Sequence, residues 1–280
     1  MPINFLQNIK SLFPSETIPA KDQSGFCNGI EPDYILKAYS FSCKDLGQHE
    51  ALFNDGIPSL IVLPNRSDSV LLKQKGTTTS LGAAWLCCGV IKNTYWEIPP
   101  SMEDIFVFRF NPAYFYSILD VSTSVFLTKP VCDLNDVLTE KWISIFDNIF
   151  ELKTLSEKVL FLEEALSASL VNGYFPPVLN VTIDYINAKR GNTNVVDILD
   201  QLGKRVSAKW LHRNFVKYMG ISPKKYISLQ RFIFTYQAYK SDESKNLADL
   251  VLSTGYYDYN HFSKDFKQYT GVAPTLYSWA

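Results

Sequence analysis

Between Tyr34 and Phe110 the apolar positions fall into short blocks rich in β-branched and aromatic residues. These are "YILKAYSF" (Tyr34–Phe41), "PSLIVLP" (Pro58–Pro64), "SVLLKQK" (Ser69–Lys75), "LGAAWLCCGVI" (Leu81–Ile91) and "DIFVFRF" (Asp104–Phe110). Polar clusters such as "NDG" and "PNRSDS" separate them. Blocks of this length, punctuated in this way, predict the strands of a compact antiparallel barrel or sandwich. The period then changes. In "NPAYFYSILD", Asn111 is placed to cap a helix and Pro112 to begin it. Two longer helical patterns follow, Leu134–Leu152 and Leu155–Leu170. The first carries a stripe of Trp142, Ile145 and Ile149; in the second, Leu155, Val159, Leu162 and Leu166 share one face. "NGYFPP" (Asn172–Pro177) interrupts the pattern, and everything after it reads as helix. The expected fold is α+β: a β-rich barrel- or sandwich-like, cupin-like part with trailing helices (1–172) and an all-helical part (178–280).

The helical part repeats. Shifted by about 51 residues it falls on itself: Phe215 meets Phe266, Tyr218 meets Tyr269, Gly220 meets Gly271, Pro223 meets Pro274 and Tyr226 meets Tyr277. In the second copy Asp258 can cap a helix whose Phe262, Phe266 and Tyr269 share one face, leaving Asn260, Lys264 and Lys267 opposite with Ser263 beside them. In the first, Ser207 caps, Leu211, Phe215 and Tyr218 point inward, and Lys209 and Arg213 point outward beside His212. A short helix precedes each, Val195–Leu202 and Leu247–Thr254, with Gly203 and Gly255 in the turns. A short helix, a turn and a capped helix with a basic outer face form a helix-turn-helix. Arg and Lys donate to guanine edges and Asn pairs with adenine, so these outer faces suit a major groove. One such face alone is an ordinary solvated helix; two in register carry the reading.

Charge strengthens it. The 280 residues hold 27 Lys/Arg against 28 Asp/Glu, net −1. From Leu179 onward, however, there are 14 Lys/Arg against 8 Asp/Glu, net +6, and the remainder is 13 against 20, net −7. A polyanion would meet the helical part alone. With no apolar run of ~20 residues, and Lys10 and Pro14 breaking the N-terminal stretch, a cytoplasmic protein with no membrane partner is expected. The five cysteines (Cys27, Cys43, Cys87, Cys88, Cys132) have no CxxC spacing and read as reduced, mostly buried thiols.

"LADLVLSTGYYDYNHFSKDFKQYTGVAPTLY" resembles the signature of AraC/XylS-type transcription regulators. Gly255-Tyr256, the core His261-Phe262-Ser263-Lys264-Asp265-Phe266-Lys267, and Gly271, Pro274 and Tyr277 carry the resemblance, which extends over Val178–Ala280. It implies two helix-turn-helix units joined by a long helix, matched by "SPKKYISLQRFIFTYQAYKS", with Arg231 as a structural arginine. It also implies a β-rich sensing or dimerising part at the N-terminus, where "FNDGIPSLIVL" and "FRFNPAYF" are similar to one subgroup. The chain departs from the pattern in several places. Asp200 and Val251 stand near a position that is usually small. The first turn, "LGKRVS", is one residue longer than usual. Ala273 cannot cap as Ser222 can, and Ser278 stands where an Arg often follows the Tyr.

The expected function is therefore sequence-specific recognition of double-stranded DNA in transcription regulation. Lys209, His212 and Arg213 act from the first unit and Tyr259, Asn260, Lys264 and Lys267 from the second, with Ser207, Lys224, Lys225 and Ser263 as phosphate contacts. His261 can serve a phosphate or packing. RNA polymerase, a small effector and a second copy of the chain are the candidate partners; no cofactor or metal is expected. Two rivals stand beside this reading. One is a DNA-binding protein whose N-terminal part only dimerises, using the helices Leu134–Leu152 and Leu155–Leu170. The other is an enzyme with a barrel site, against which stand the single N-terminal histidine, His49, and the lack of a nucleophile or phosphate-loop motif. Trp85, Trp96, Tyr95 and Phe108 could line an effector pocket or simply fill a core.

Overall fold

The structure is a computed structural model that describes residues 16–19, 34–42, 50–74, 76–97, 99, 102, 104–169, 175–242 and 246–277. Cys27, Cys43, His49, Ser278 and the first half of the Asn172–Pro177 interval, 172–174, lie outside them.

Among the described residues the N-terminal part has ten strands and four helices: β1 (Glu16–Pro19), β2 (Ile35–Ser42), β3 (Glu50–Leu52), β4 (Ser59–Val62), β5 (Val70–Gln74), β6 (Thr77–Leu81), β7 (Ala84–Cys87), β8 (Thr94–Glu97), β9 (Asp104–Phe110), α1 (Pro112–Ile118), α2 (Thr123–Thr128), β10 (Val131–Asp133), α3 (Glu140–Asp147) and α4 (Leu155–Ala168). The strands form two antiparallel sheets, one ordered β1-β2-β9-β4-β7-β10 and the other β3-β8-β5-β6. This is the sandwich form of the expected fold, not a closed barrel. Strand alternation sends one set of side chains between the sheets, where Tyr39, Ile61, Trp85 and Val107 meet Leu52, Val70, Leu72 and Trp96. The other set, including Ala38, Leu60, Leu86 and Phe108, meets Phe115, Trp142, Phe146, Leu162 and Leu166 of the helices. The six-stranded sheet is thus buried on both faces.

Two elements differ from the sequence reading. The block "LGAAWLCCGVI" is not one strand: β6 ends at Leu81 in the small sheet and β7 begins at Ala84 in the large one. The chain changes sheet at Gly82, whose N–H donates to Asp133 Oδ2 at 3.0 Å. The span Leu134–Leu152 is not one helix either. Asp133 caps a 3-10 turn (Leu134–Asp136), Thr139 opens α3, and a second 3-10 turn (Asn148–Glu151) ends it. Helix α4 opens on a capping box, Thr154 with Glu157. The apolar stripes of α3 and α4 are spent on the chain's own sheet: Trp142, Phe146, Ile149, Leu155 and Leu162 are all buried there.

Cys87, Cys88 and Cys132 are free and buried. Burial pushes the thiols of Cys87 and Cys88 well up and that of Cys132 to about 11, which makes them inert packing groups at neutral pH. Among the described residues no helix is long and apolar enough to cross a membrane.

Candidate nucleic-acid interface

Among the described residues six helices follow: α5 (Pro177–Ala188), α6 (Val195–Gln201), α7 (Ala208–Met219), α8 (Pro223–Lys240), α9 (Leu247–Ser253) and α10 (Tyr259–Thr270), then a 3-10 turn (Pro274–Leu276). The repeat is visible in the caps. Asn194 and Asn246 cap the short helices, and Ser207 and Asp258 cap α7 and α10, accepting from Trp210 N (3.1 Å) and His261 N (2.7 Å). Gly220 and Gly271 stop α7 and α10 in the left-handed conformation, with φ of 66° and 85°. The first turn, Leu202–Ser207, is one residue longer than the second, Thr254–Asp258. Gly203 and Lys204 absorb the extra residue by turning left-handed in succession (φ 62° and 57°), where the second turn has Gly255 alone (φ 90°).

The inner faces of α7 and α10 close one core around α8. Leu211, Phe215, Met219, Phe262, Phe266 and Tyr269 are fully buried with Phe232 and Tyr236. Phe232 stacks on Tyr269 with ring centres 4.5 Å apart. Tyr218, half-buried against Phe175, is less inward than its repeat partner Tyr269. Polar groups fix the same core. Asp265 accepts from Ser228 Oγ (2.8 Å) and Tyr256 Oη (3.4 Å), which ties α10 to α8. Arg231 donates to Gly191 O (2.9 Å) and Thr193 O (3.2 Å) and lies over the Tyr256 ring, so it is spent inside the fold. Ser222 caps α8, whereas Ala273 supplies no side-chain cap to the final turn.

The outer faces are left to solvent. Lys209, His212 and Arg213 are exposed on α7, and Asn260, Lys264 and Lys267 on α10. Tyr259 and Ser263 are half-buried, Tyr259 packing against Phe262. His261 is exposed with its ring edge against Tyr256. Of the phosphate candidates, Ser207 and Lys224 are exposed. Lys225 is half-buried with its Nζ 4.9 Å from the centre of the Tyr269 ring. Burial, with Lys92 nearby acting in the same direction, pushes Lys225 down to about 8. Tyr257, in the second turn, is 89% exposed and was not singled out from the sequence.

The N-terminal part docks on this unit, which composition and periodicity did not reveal. Phe53 and Ile57 belong to the same core as α8, and Phe53 meets Phe232 and Tyr236 edge-on. Asp55 pairs with Arg109 of β9 and accepts from Ile57 N, while its carbonyl accepts from Gln230 Nε2 of α8 at 2.8 Å. Burial opposes the charge on Arg109, but Asp55 beside it prevails and raises its pKa. Asn93 N donates to Tyr269 O at 2.8 Å, and Tyr95 Oη to Thr270 O, at the end of α10. Trp85 and Trp96 pack edge-to-face inside the sandwich and Phe108 is buried under the helices, so these three fill the core. A cavity of about 530 Å³ lies instead at the junction, lined by Lys37, Asp55, Arg109, Arg190, Gln230 and Gln237 among others.

Residues 205–278 match the family model of a helix-turn-helix domain. No curated protein matches the chain. Among solved structures, ToxT from Vibrio cholerae is 14% identical, with 85% of this chain and 95% of that chain covered and a TM-score of 0.44. A structure of ToxT with bound unsaturated fatty acid is 15% identical over 78% and 85% of the two chains, with a TM-score of 0.43. The AraC-like transcriptional activator CuxR is 16% identical over 78% of each chain, with a TM-score of 0.22. Two capped units around one linker helix and the matched family model together identify residues 205–278 as a helix-turn-helix domain, whose signature residues resemble those of AraC/XylS-type transcription regulators.

Proposed function

We propose that α7 and α10 enter successive major grooves, ~34 Å apart along one face of the duplex. Lys209, His212 and Arg213 read base edges from the first unit, and Tyr259, Asn260, Lys264 and Lys267 from the second. Ser207, Lys224, Lys225 and Ser263 set the register on phosphates. The observation that carries this reading is the paired exposure of the outer faces: two helices with equivalent caps and buried inner faces both leave their basic residues exposed.

The N-terminal part is the controlling part in this proposal, because it touches the linker helix directly through Phe53, Ile57 and Asp55. The junction cavity is the place for a small polar effector. It is walled by both parts of the chain, and two of its lining donors, Arg109 Nε and Gln237 Nε2, have no hydrogen-bond partner among the described residues. Dimerisation through α3 and α4 has less to stand on, since their stripes are already occupied; Leu160, 63% exposed, is what remains.

The test is selection of duplexes by the full chain from a random pool, followed by binding over a salt series. The expected result is a preferred site with two half-sites one helical turn apart, and an affinity that falls steeply with salt as counterions are released. Absence of binding at low salt, or a flat salt response, overturns the reading.

A further inference from the structure

The loop before β8 brings a lysine of the acidic N-terminal part to the basic face of the helical part. Asn93, itself left-handed at φ 44°, places its N–H on the carbonyl of Tyr269, and Tyr95 Oη holds the next carbonyl, that of Thr270. Those contacts fix Lys92 beside the last turn of α10. Lys92 and Lys267 line the same cleft of about 410 Å³, together with Gln74, Asn93 and Gln268. Lys225 reaches the neighbourhood from α8, its ammonium lying over the ring of Tyr269. Lys92 thus stands between the other two, sharing a cleft with Lys267 and acting on the charge of Lys225.

Their surroundings leave this charge unspent. Two other described N-terminal lysines are paired, Lys73 with Glu97 and Lys129 with Asp136. Among the described residues none of Lys92, Lys225 and Lys267 is in an ion pair. The nearest carboxylate acting on Lys225, Asp265, is engaged with Ser228 and Tyr256. Gln268 lines the same cleft, and its Nε2 has no hydrogen-bond partner among the described residues. Cations outside any ion pair beside an unpartnered amide suit a singly charged, oxygen-rich group, and the cleft flanks the outer face of α10 that enters the groove.

We infer that Lys92, with Lys225 beside it, forms a seat for a backbone phosphate of the duplex at the edge of the groove that α10 reads through Lys264 and Lys267, so that the N-terminal part contacts DNA directly. The inference rests on the DNA-binding reading above and adds to it a contact from outside the helix-turn-helix units. It also makes the docking of the two parts a condition of full affinity, because Lys92 reaches the seat only while Asn93 and Tyr95 hold the end of α10.

The experiment uses the full chain and a labelled mixed-sequence duplex, titrated over a salt series. Four variants are compared with the parent: Lys92→Gln, Lys92→Arg, Lys264→Ala and Lys153→Gln, the last an exposed lysine of the N-terminal part that does not line the cleft. Substitution at Lys92 leaves its backbone carbonyl, which accepts from Gln74 and Thr94, in place. Lys92→Gln is expected to reduce the slope of log affinity against log salt by about 0.9, which is a loss of about eightfold at 0.1 M salt. Lys92→Arg should keep the parental slope and Lys153→Gln should not change it. If Lys92→Gln keeps the parental slope and affinity while Lys264→Ala weakens binding, the seat is overturned and the DNA-binding reading stands. If the parent does not bind the duplex at low salt, the DNA-binding reading itself fails, and the seat with it. If Lys92→Arg loses as much as Lys92→Gln, side-chain shape rather than charge is responsible and the phosphate seat is overturned.

Discussion

Arg231 lies in the middle of α8 with its guanidinium spent on the carbonyls of Gly191 and Thr193, while Arg213 stands exposed on α7. The two should therefore fail in different assays. Arg231→Lys removes the fork that spans both carbonyls and should cost about 1–3 kcal/mol in urea unfolding, leaving base preference unchanged. Arg213→Ala should leave stability within about 0.5 kcal/mol. It should instead cost ~1–3 kcal/mol at the preferred duplex and much less on random DNA. Equal losses on both duplexes would reduce Arg213 to a phosphate contact. Lys225 gives a pH signature. Its folded value, about 8, lies below the ~10.4 of an unfolded lysine. Between these two values the unfolded chain binds a proton that the folded chain does not, so stability should rise with pH through that window. A phosphate beside Lys225 favours its charged form, so binding should take up a proton and weaken as pH climbs past about 8. The neighbouring charges acting on it are Lys92, which depresses it further, and Asp265, which opposes. Binding titrations from about pH 7 to 9 check this. A Lys225→Met variant with the same pH dependence as the parent would assign the effect elsewhere.

The helices of the C-terminal part were legible because each carries its own start and stop. Ser207, Ser222 and Asp258 cap where the sequence placed them, Gly220 and Gly271 end the two longer repeats, and the inward Leu211, Phe215, Phe262 and Phe266 follow a 3.6-residue period. Even the extra residue in "LGKRVS" was readable, though not its solution, the successive left-handed Gly203 and Lys204. That solution predicts a sign. Lys204→Gly relieves a left-handed lysine and should stabilise the unit by up to about 1 kcal/mol, whereas Gly203→Ala should destabilise it by about 1–2 kcal/mol. Thermal unfolding of both variants decides whether the turn is held as described. The strands were less legible. β6 ("TTTSL") has four exposed positions of five, and β8 ("TYWE") alternates buried with half-buried, so neither offers an apolar block; both owe their place to pairing with β5. The break of β6 from β7 depends on Asp133, 51 positions away, holding Gly82 N. No local pattern contains that information.

The docking of the two parts was hidden for the same reason: "FNDGIP" reads as a turn, yet Phe53, Asn54, Asp55 and Ile57 are all buried. Phe53 is fully enclosed, between Phe232 and Tyr236 of the linker helix, and Ile57 sits in the same core. The N-terminal part also meets both recognition helices near their C-terminal ends. A methyl group at Gly220, which ends α7, would meet Tyr116 Oη of α1 at 3.4 Å, and Asn93 N and Tyr95 Oη hold the last carbonyls of α10. A body that grips the linker helix and the ends of both reading helices constrains their separation. Helical part and sandwich should consequently unfold together, and Phe53→Ala, which empties an aromatic site in their shared core, should cost about 3–5 kcal/mol in chemical denaturation. The same substitution should change how the chain reads spacing. The parent, with its two reading helices held, should discriminate strongly against a preferred duplex whose half-sites are moved apart by one base pair, since that shift rotates one groove away from its helix. In Phe53→Ala the grip is loosened, so the penalty for the inserted pair should shrink even where affinity for the uninterrupted site is nearly kept. Competition binding between the two duplexes measures the penalty directly. If the variant is destabilised as expected but penalises the inserted pair as much as the parent does, the spacing is set within the helical part alone, and the N-terminal grip has no share in recognition.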